Sequence, residues 1–557
     1  MKLKSKVMRL IFIVSLLAVF QPLSALELPD YKNYEHDQKL FSLLNRIKSE
    51  GKELPDWTQL DPEKDGYEGT RTKAFYEYLK TLSTEPNRSD VLVAVIDSGF
   101  DIEHPDLKDN VWQNSAEVNG IPGVDDDNNG YVDDFYGWNF LGNAKYLSYE
   151  VTREYYRLKK LGTPADDPYF MKVREEFEDK KDEVSASLKG INETLSELEA
   201  AEDVLRKNNI TTDPKKLQGI SMSLPEGKTS DAASIVLGVY LLFGMEKDDL
   251  AKLSEEYEIK DRVLFDSTDV SELVGDDPLR LDETNYGNND VSEKSEEHGT
   301  HVSGVIASKK TGQAPFAKLM LLRAVPNEGD ERDKDVGNAI RYAVDNGAEI
   351  INMSAGKYFS PDPDYVTEAV RYAESKGVLF VISAGNEGDD ITDIVNYPRK
   401  YTVENGVRKY FSNMIVVGAN SWMKKWSKEK DPKNKNAGYD LAAPFSNYSE
   451  DVVDIFAPGV QIYSAIPGGG YKFLDGTSMA SPSVTGIAAV LKAYYPQLTA
   501  SQLKDVILSS ARKYEGLTVK VKGPKKRELF SKLSKSGGVI DMLNAYKKAG
   551  ELLNSLN

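Results

Sequence analysis

Val91-Leu92-Val93-Ala94-Val95-Ile96-Asp97-Ser98-Gly99 decides the fold. Six apolar residues in a row leave no polar face. A strand made from them must be covered on both sides, as in a parallel sheet flanked by helices. Similar runs recur at 319–325, 350–353, 378–382 and 415–419. Residues 336–346 and 366–376, between these runs, carry helical periodicity. Strands alternating with helices predict an α/β fold on a doubly wound, mainly parallel sheet. Sites in such sheets form beyond the C-terminal ends of the strands. Asp97 stands at that end of the first run, and Asn386 just beyond the 378–382 run.

Three further stretches follow in order. They are His298-Gly299-Thr300-His301-Val302-Ser303-Gly304, Ala384-Gly385-Asn386-Glu387-Gly388 and Gly476-Thr477-Ser478-Met479-Ala480-Ser481-Pro482. With Asp97 they supply an acid, a base, an amide and a hydroxyl, the parts of a nucleophilic serine hydrolase with an oxyanion hole. A serine hydroxyl is a weak nucleophile near neutral pH. It needs a base within hydrogen-bond reach, and the base needs an orienting carboxylate. The chain has only 4 histidines. His36 lies in the N-terminal region and His104 in a His-Pro-Asp-Leu turn, which leaves His298 and His301 on one face of a predicted helix. Zinc-peptidase helices space their histidines four apart with a glutamate beside the first, and this pair has neither feature. Gly299 allows close backbone approach. Asn386, between Gly385 and Gly388, can present an amide N–H to a developing oxyanion. The backbone N–H of Ser478, ahead of a predicted helix, would be the second donor. Ser478 is not in a Gly-x-Ser-x-Gly elbow, which argues against an esterase or lipase.

These motifs resemble those of the subtilases, the subtilisin-like serine peptidases, across about 90–140 and 286–550. The resemblance implies that Asp97 orients the base, His298 is the general base and acid, and Ser478 attacks a peptide carbonyl. It assigns Asn386 as the oxyanion donor and makes His301 structural. It also implies that Ser354, Ala355 and Gly356 pair with extended substrate and wall the pocket for the residue before the scissile bond. Lys357 stands where many relatives have a second glycine, a departure that bears on pocket shape and side-chain preference. The implied partners are protein or peptide substrates. The alternative is a catalytically silent subtilase-fold binding protein that uses an inserted helical surface. Loss of a triad member would point to it, and none is lost.

Asp125-Asp126-Asp127-Asn128-Asn129-Gly130-Tyr131-Val132-Asp133 places oxygens at alternating positions. Asp125, Asp127, Asn129, the Tyr131 carbonyl and Asp133 match the first five ligand positions of a calcium loop. The place of the bidentate glutamate is taken by Tyr136, so a strict EF-hand is not expected. By resemblance, Asp106 is a separate calcium candidate. Calcium would be structural, and the chemistry itself calls for no cofactor.

The chain has 557 residues, which suggests one large domain with appendages. Its net charge of -19 argues against a nucleic-acid partner. The absence of cysteine excludes disulfides, thiol catalysis and cysteine-bound zinc. Residues 1–25 read as a signal peptide: Lys2, Lys4, Lys6 and Arg9, then an apolar run too short to span a bilayer, then Ser24-Ala25. This predicts a secreted protein, extracellular or periplasmic, with no membrane span in the mature chain. Residues 26–88 read as an N-terminal extension or pro-segment. Between 141 and 285, Phe170, Val173, Phe177, Val184, Leu188, Ile191, Leu195, Leu198 and Leu205 form a heptad-like stripe. An apolar stretch at 235–245 could cover it, which predicts an inserted helical hairpin. The catalytic domain would then comprise 89–140 and 286–557.

Overall fold

The computed structural model describes residues 57–557 except 85, 244, 268–269, 423–439, 524–525 and 557. The expected signal peptide and the first part of the extension lie outside the described residues.

Nine strands form the central sheet: β1 (Leu92–Asp97), β2 (Gly137–Asn139), β3 (Lys318–Arg323), β4 (Ile350–Met353), β5 (Leu379–Ser383), β6 (Met414–Asn420), β7 (Ile455–Pro458), β8 (Arg512–Lys513) and β9 (Gly538–Val539). Their order is β8-β9-β7-β6-β5-β4-β1-β3-β2, parallel throughout except where β8 meets β9. The apolar run at 91–96 is central, as its lack of a polar face requires. Val93, Ala94, Val95 and Ile96 are all fully buried. Ala94 and Ile96 share a core with Ile340 and Val370 from the helices α2 (Asp333–Asp345) and α3 (Pro363–Ser375). Alternate strand residues face opposite ways, so Val93 and Val95 point to the other face.

From β1 the chain goes to β2 and then β3 on one side and returns to β4 on the other, which makes β1 the switch point of the sheet. Register carries this to the site. Ile96 pairs with Met353, and Met353 with Ile382. Asp97, Ser354 and the turn holding Asn386 therefore emerge at one edge. Two more helices meet at that edge, α1 (His298–Ala307) and α4 (Thr477–Tyr494), and they pack against each other.

Residues Val151–Ser267 belong to a separate compact unit. Its spine is a 40-residue helix, Pro168–Lys207. Asp167 caps it by accepting the N–H groups of Tyr169 and Phe170, and Pro168 follows at the first helical position. The expected hairpin is more elaborate. Helices Lys228–Phe243 and Lys247–Val263 both lie on the spine. Pro214–Ile220 joins them, and Leu217, Val236, Val239 and Leu250 share a core with Ile191, Leu198 and Leu205. The reason is length. The spine reaches about 60 Å and the helix at 228–243 only about 24 Å, so one partner cannot cover the stripe. The unit is also narrower than the expected 141–285, because Leu141, Ala144, Leu147 and Val274 contribute to the core of the sheet.

The described part of the expected extension, from Trp57 on, belongs to the same compact unit as the sheet. Trp57 is 1% exposed, and its indole N–H donates to the Val460 carbonyl at 3.2 Å. Arg71 bridges Asp61 and the fully buried Asp541. Among the described residues, no helix is long and apolar enough to cross a membrane.

Candidate active site

Asp97 ends β1 and is 1% exposed. Its Oδ1 accepts the Ser98 N–H at 2.8 Å and lies 2.7 Å from His298 Nδ1. His298 is the first residue of α1, and its own N–H donates to Glu296 Oε1 at 2.9 Å. Gly299 lets the helix come this close. A Cβ there would lie 2.3 Å from the Gly99 carbonyl oxygen and 3.1 Å from Asp97 Oδ1. Burial of the imidazole opposes its positive charge, but the Asp97 carboxylate, helped by Glu296 and Glu297, outweighs burial and makes the ring more basic than ordinary histidine. Donation from Nδ1 to Asp97 leaves Nε2 as the free basic nitrogen.

Ser478 is the second residue of α4. The helix starts well before the apolar run at 487–494 and runs through Pro482. Proline has no N–H to give to the carbonyl four residues back, which is that of Ser478. Ser354 Oγ donates to that carbonyl instead, at 2.9 Å. The Ser478 hydroxyl donates to the Ser354 carbonyl at 3.1 Å. Among the described residues, no hydrogen bond joins it to His298. Such bonds commonly close only when substrate is bound.

Asn386 follows β5 in a turn made by Gly385 and Gly388, whose φ values are 97° and 71°. Its Oδ1 accepts both the N–H and the hydroxyl of Thr477, each at 2.9 Å. That fixes the amide and turns Nδ2 away. A Cβ on Gly476 would be 3.6 Å from the Ser478 nitrogen and 3.7 Å from Asn386 Nδ2. Both donors therefore border one small space that Gly476 leaves open.

The other two described histidines, His301 and His104, are held by backbone groups. His301 is fully buried, and its Nε2–H donates to the carbonyls of Ile462 at 2.9 Å and Lys472 at 3.2 Å. Burial lowers its pKa to about 4. His104 Nδ1 accepts the Asp106 N–H, and Nε2 reaches the Gly470 carbonyl. Ser354 is buried, Ala355 half-buried and Gly356 exposed, so this segment comes to the surface right after β4. Lys357, next along the chain, is buried. Its side chain is 3% exposed and turned inward onto Glu150 and Asp333.

Residues 88–530 match the model of the Subtilase family. The chain belongs to the subtilase family. It is 38% identical over 200 residues to the thermophilic serine proteinase of Bacillus sp. (strain AK1), covering 35% of this chain and 42% of that protein. With subtilisin DY of Bacillus licheniformis it shares 33% identity over 220 residues, 38% of this chain and 70% of the relative. With subtilisin-like protease 1 of Plasmodium berghei (strain Anka) it shares 24% identity over 490 residues, 86% of this chain and 52% of the relative. A solved cold-adapted subtilisin-like serine proteinase is 27% identical, with a TM-score of 0.34 over 46% of this chain and 76% of that one.

This subtilase has a second polar cluster that sequence reading only partly located. Glu117, Asp125 and Asp127 each offer an oxygen, all within 4.8 Å of one another. Glu117 lies ahead of the acidic loop, in the short helix Ser115–Val118, and no spacing rule pointed to it. It is 2% exposed and accepts the N–H groups of Asp126 and Asp133. Asn129 Oδ1 is used by the Tyr131 N–H, and Asp133 Oδ2 by the Gly123 N–H. Asp106 lies elsewhere, with its carboxylate accepting the Tyr471 hydroxyl.

Proposed function

We propose that this subtilase is a secreted serine endopeptidase that works through Asp97, His298, Ser478 and an acyl-enzyme. The observation that carries this reading is the 2.7 Å contact of His298 Nδ1 with Asp97, at the same sheet edge as the paired N–H donors beside Gly476. His298 Nε2 takes the Ser478 hydroxyl proton as Oγ attacks the carbonyl carbon. The oxyanion that forms accepts from Asn386 Nδ2 and the Ser478 N–H. The carbon–nitrogen bond then breaks, and His298 passes its proton to the leaving amine. Water attacks the resulting ester with His298 again as base, releasing the acid and restoring Ser478. Asp97 stays ionised and holds the imidazolium.

Ser354, Ala355 and Gly356 are the substrate segment in this reading. The exposure of Gly356 and the contact of the Ser354 carbonyl with the Ser478 hydroxyl support it. Protein and peptide chains are the substrates. A Ser478→Ala variant should lose casein hydrolysis and labelling by a fluorophosphonate. Labelling or hydrolysis that persists in the purified variant overturns the assignment.

Calcium fits the acidic loop as a structural ion. Its donors are hard carboxylate oxygens, and Glu117 supplies the carboxylate that the loop lacks at its far end. Glu117, Asp125 and Asp127 would hold it, with Asn129, the Tyr131 carbonyl and Asp133 close in sequence. Bound calcium would tie the loop to the Ser115–Val118 helix. We place signal cleavage near residue 25, and any later trimming upstream of Trp57, because Trp57 and Arg71 are built into the catalytic unit.

A further inference from the structure

Lys357 directly follows the proposed substrate segment, yet its charge never reaches the cleft. Its Nζ lies 2.5 Å from Glu150 Oε2 and 2.8 Å from Asp333 Oδ1, and it donates to the Glu331 carbonyl at 2.7 Å. These three acceptors match the three ammonium protons. The backbone is held as well. The Lys357 N–H donates to the Tyr397 carbonyl at 3.2 Å, and the Lys357 carbonyl accepts the Tyr397 N–H at 2.9 Å. Asp333, the first residue of α2, also accepts the Ser360 hydroxyl at 2.8 Å and the Asp362 N–H at 2.9 Å. One carboxylate thus grips the chain on both sides of residue 358. Glu150 is the last residue of the catalytic unit before the chain passes into the helical unit. Its own N–H is fixed by Asp330 Oδ2 at 2.8 Å.

We propose that Lys357 is a positioning residue for extended substrates: its ammonium fastens the segment of Ser354, Ala355 and Gly356 to the start of α2 and to the point where the chain departs for the insertion. This rests on the reading of that segment as the substrate strand. A buried ammonium shared by two carboxylates cannot give up a partner cheaply, so the segment has one position. A substrate paired along it meets its hydrogen-bonding groups in place, and a shift of 1 Å costs about 10²-fold in rate. The lysine therefore fixes where the strand sits and brings no charge into the cleft.

The test compares two p-nitroanilides with the same residue before the scissile bond, one a single blocked residue and one a blocked tetrapeptide. In the wild type, kcat/KM should be higher for the long substrate, because remote contacts contribute to the transition state. In Lys357→Met the ratio of long to short should fall about tenfold, a change that simple loss of folded protein cannot produce because both substrates report on the same enzyme. Glu150→Gln, which keeps shape and an acceptor, should lower the ratio in the same direction and serves if Lys357→Met does not fold. A wild type that gains from length, together with variants that keep the full gain, overturns the clamp alone. A wild type indifferent to length overturns the substrate segment and the clamp with it.

Discussion

His298 Nδ1 and Asp97 Oδ1 meet at 2.7 Å because Gly299 lets α1 ride against the end of β1. The carboxylate holds the imidazole pKa above that of ordinary histidine, against the opposing effect of burial. The base works only when neutral. Activity should therefore be full above this raised pKa and be lost as pH falls through it. The acid limb of kcat/KM is expected above 6.5, the ordinary histidine value. Asp97→Asn should cut kcat by about 10⁴-fold. A limb at or below the ordinary value in the wild type would contradict the pairing.

Asn386 is held by Thr477 through both its N–H and its hydroxyl. Asn386→Ala should lower kcat by about 10²–10³-fold with little change in KM, since the oxyanion exists only on the way through the transition state. Thr477→Val keeps one of the two anchoring bonds and should cost less. Stopped-assay kinetics on one peptide substrate separates these cases, and a Thr477→Val enzyme with the full wild-type kcat would refute the anchoring role.

His301 should give the fold a pH dependence of its own. Its folded pKa is about 4 against an ordinary 6.5. The unfolded chain binds the extra proton in that interval, so stability rises with pH from 4 to 6.5 and is level above. The loss on acidification is about 3 kcal/mol. Urea unfolding of the Ser478→Ala protein at several pH values measures it. His301→Gln should flatten this limb, and an unchanged slope in that variant would assign it to other groups.

Trp57 is buried and hydrogen-bonded to Val460, far along the chain. N-terminal sequencing of the mature protein should begin upstream of it. Trp57→Ala should destabilise by about 3–5 kcal/mol in thermal or urea unfolding. A mature N-terminus close to Val91 would mean that the folded catalytic unit does without this layer.

In the proposed calcium site, Glu117 would link the ion to stability. A chelator should lower the thermal midpoint and speed autolysis of the wild type, while Glu117→Gln should start with a lower midpoint and respond little to the chelator. If chelator leaves the wild type unchanged, the loop is held by its own hydrogen bonds.

Strands and motifs were legible because they are local. The buried run 91–96, the runs that became β4 and β6, and the four motif stretches each declare themselves within a few residues. The passage of α4 through Pro482 was not, because a proline inside a helix leaves a carbonyl without its N–H partner. It is tolerated only because Ser354, distant in sequence, satisfies the carbonyl that proline leaves bare. The insertion was legible as helix but not as a bundle, since periodicity shows a stripe without saying how many helices cover it.

The amino-acid sequence by itself determined the sheet class, the order of the acid, the histidine pair, the amide and the serine, and the family those motifs resemble. Only the tertiary structure decided that His298 meets Asp97 while His301 faces two carbonyls, that Glu117 joins the acidic loop, and that Lys357 turns into the interior. The physical reason is the same in each case. Apolar patterning and turn chemistry act between near neighbours, whereas the partner of a polar side chain is whatever the folded chain brings within hydrogen-bond reach.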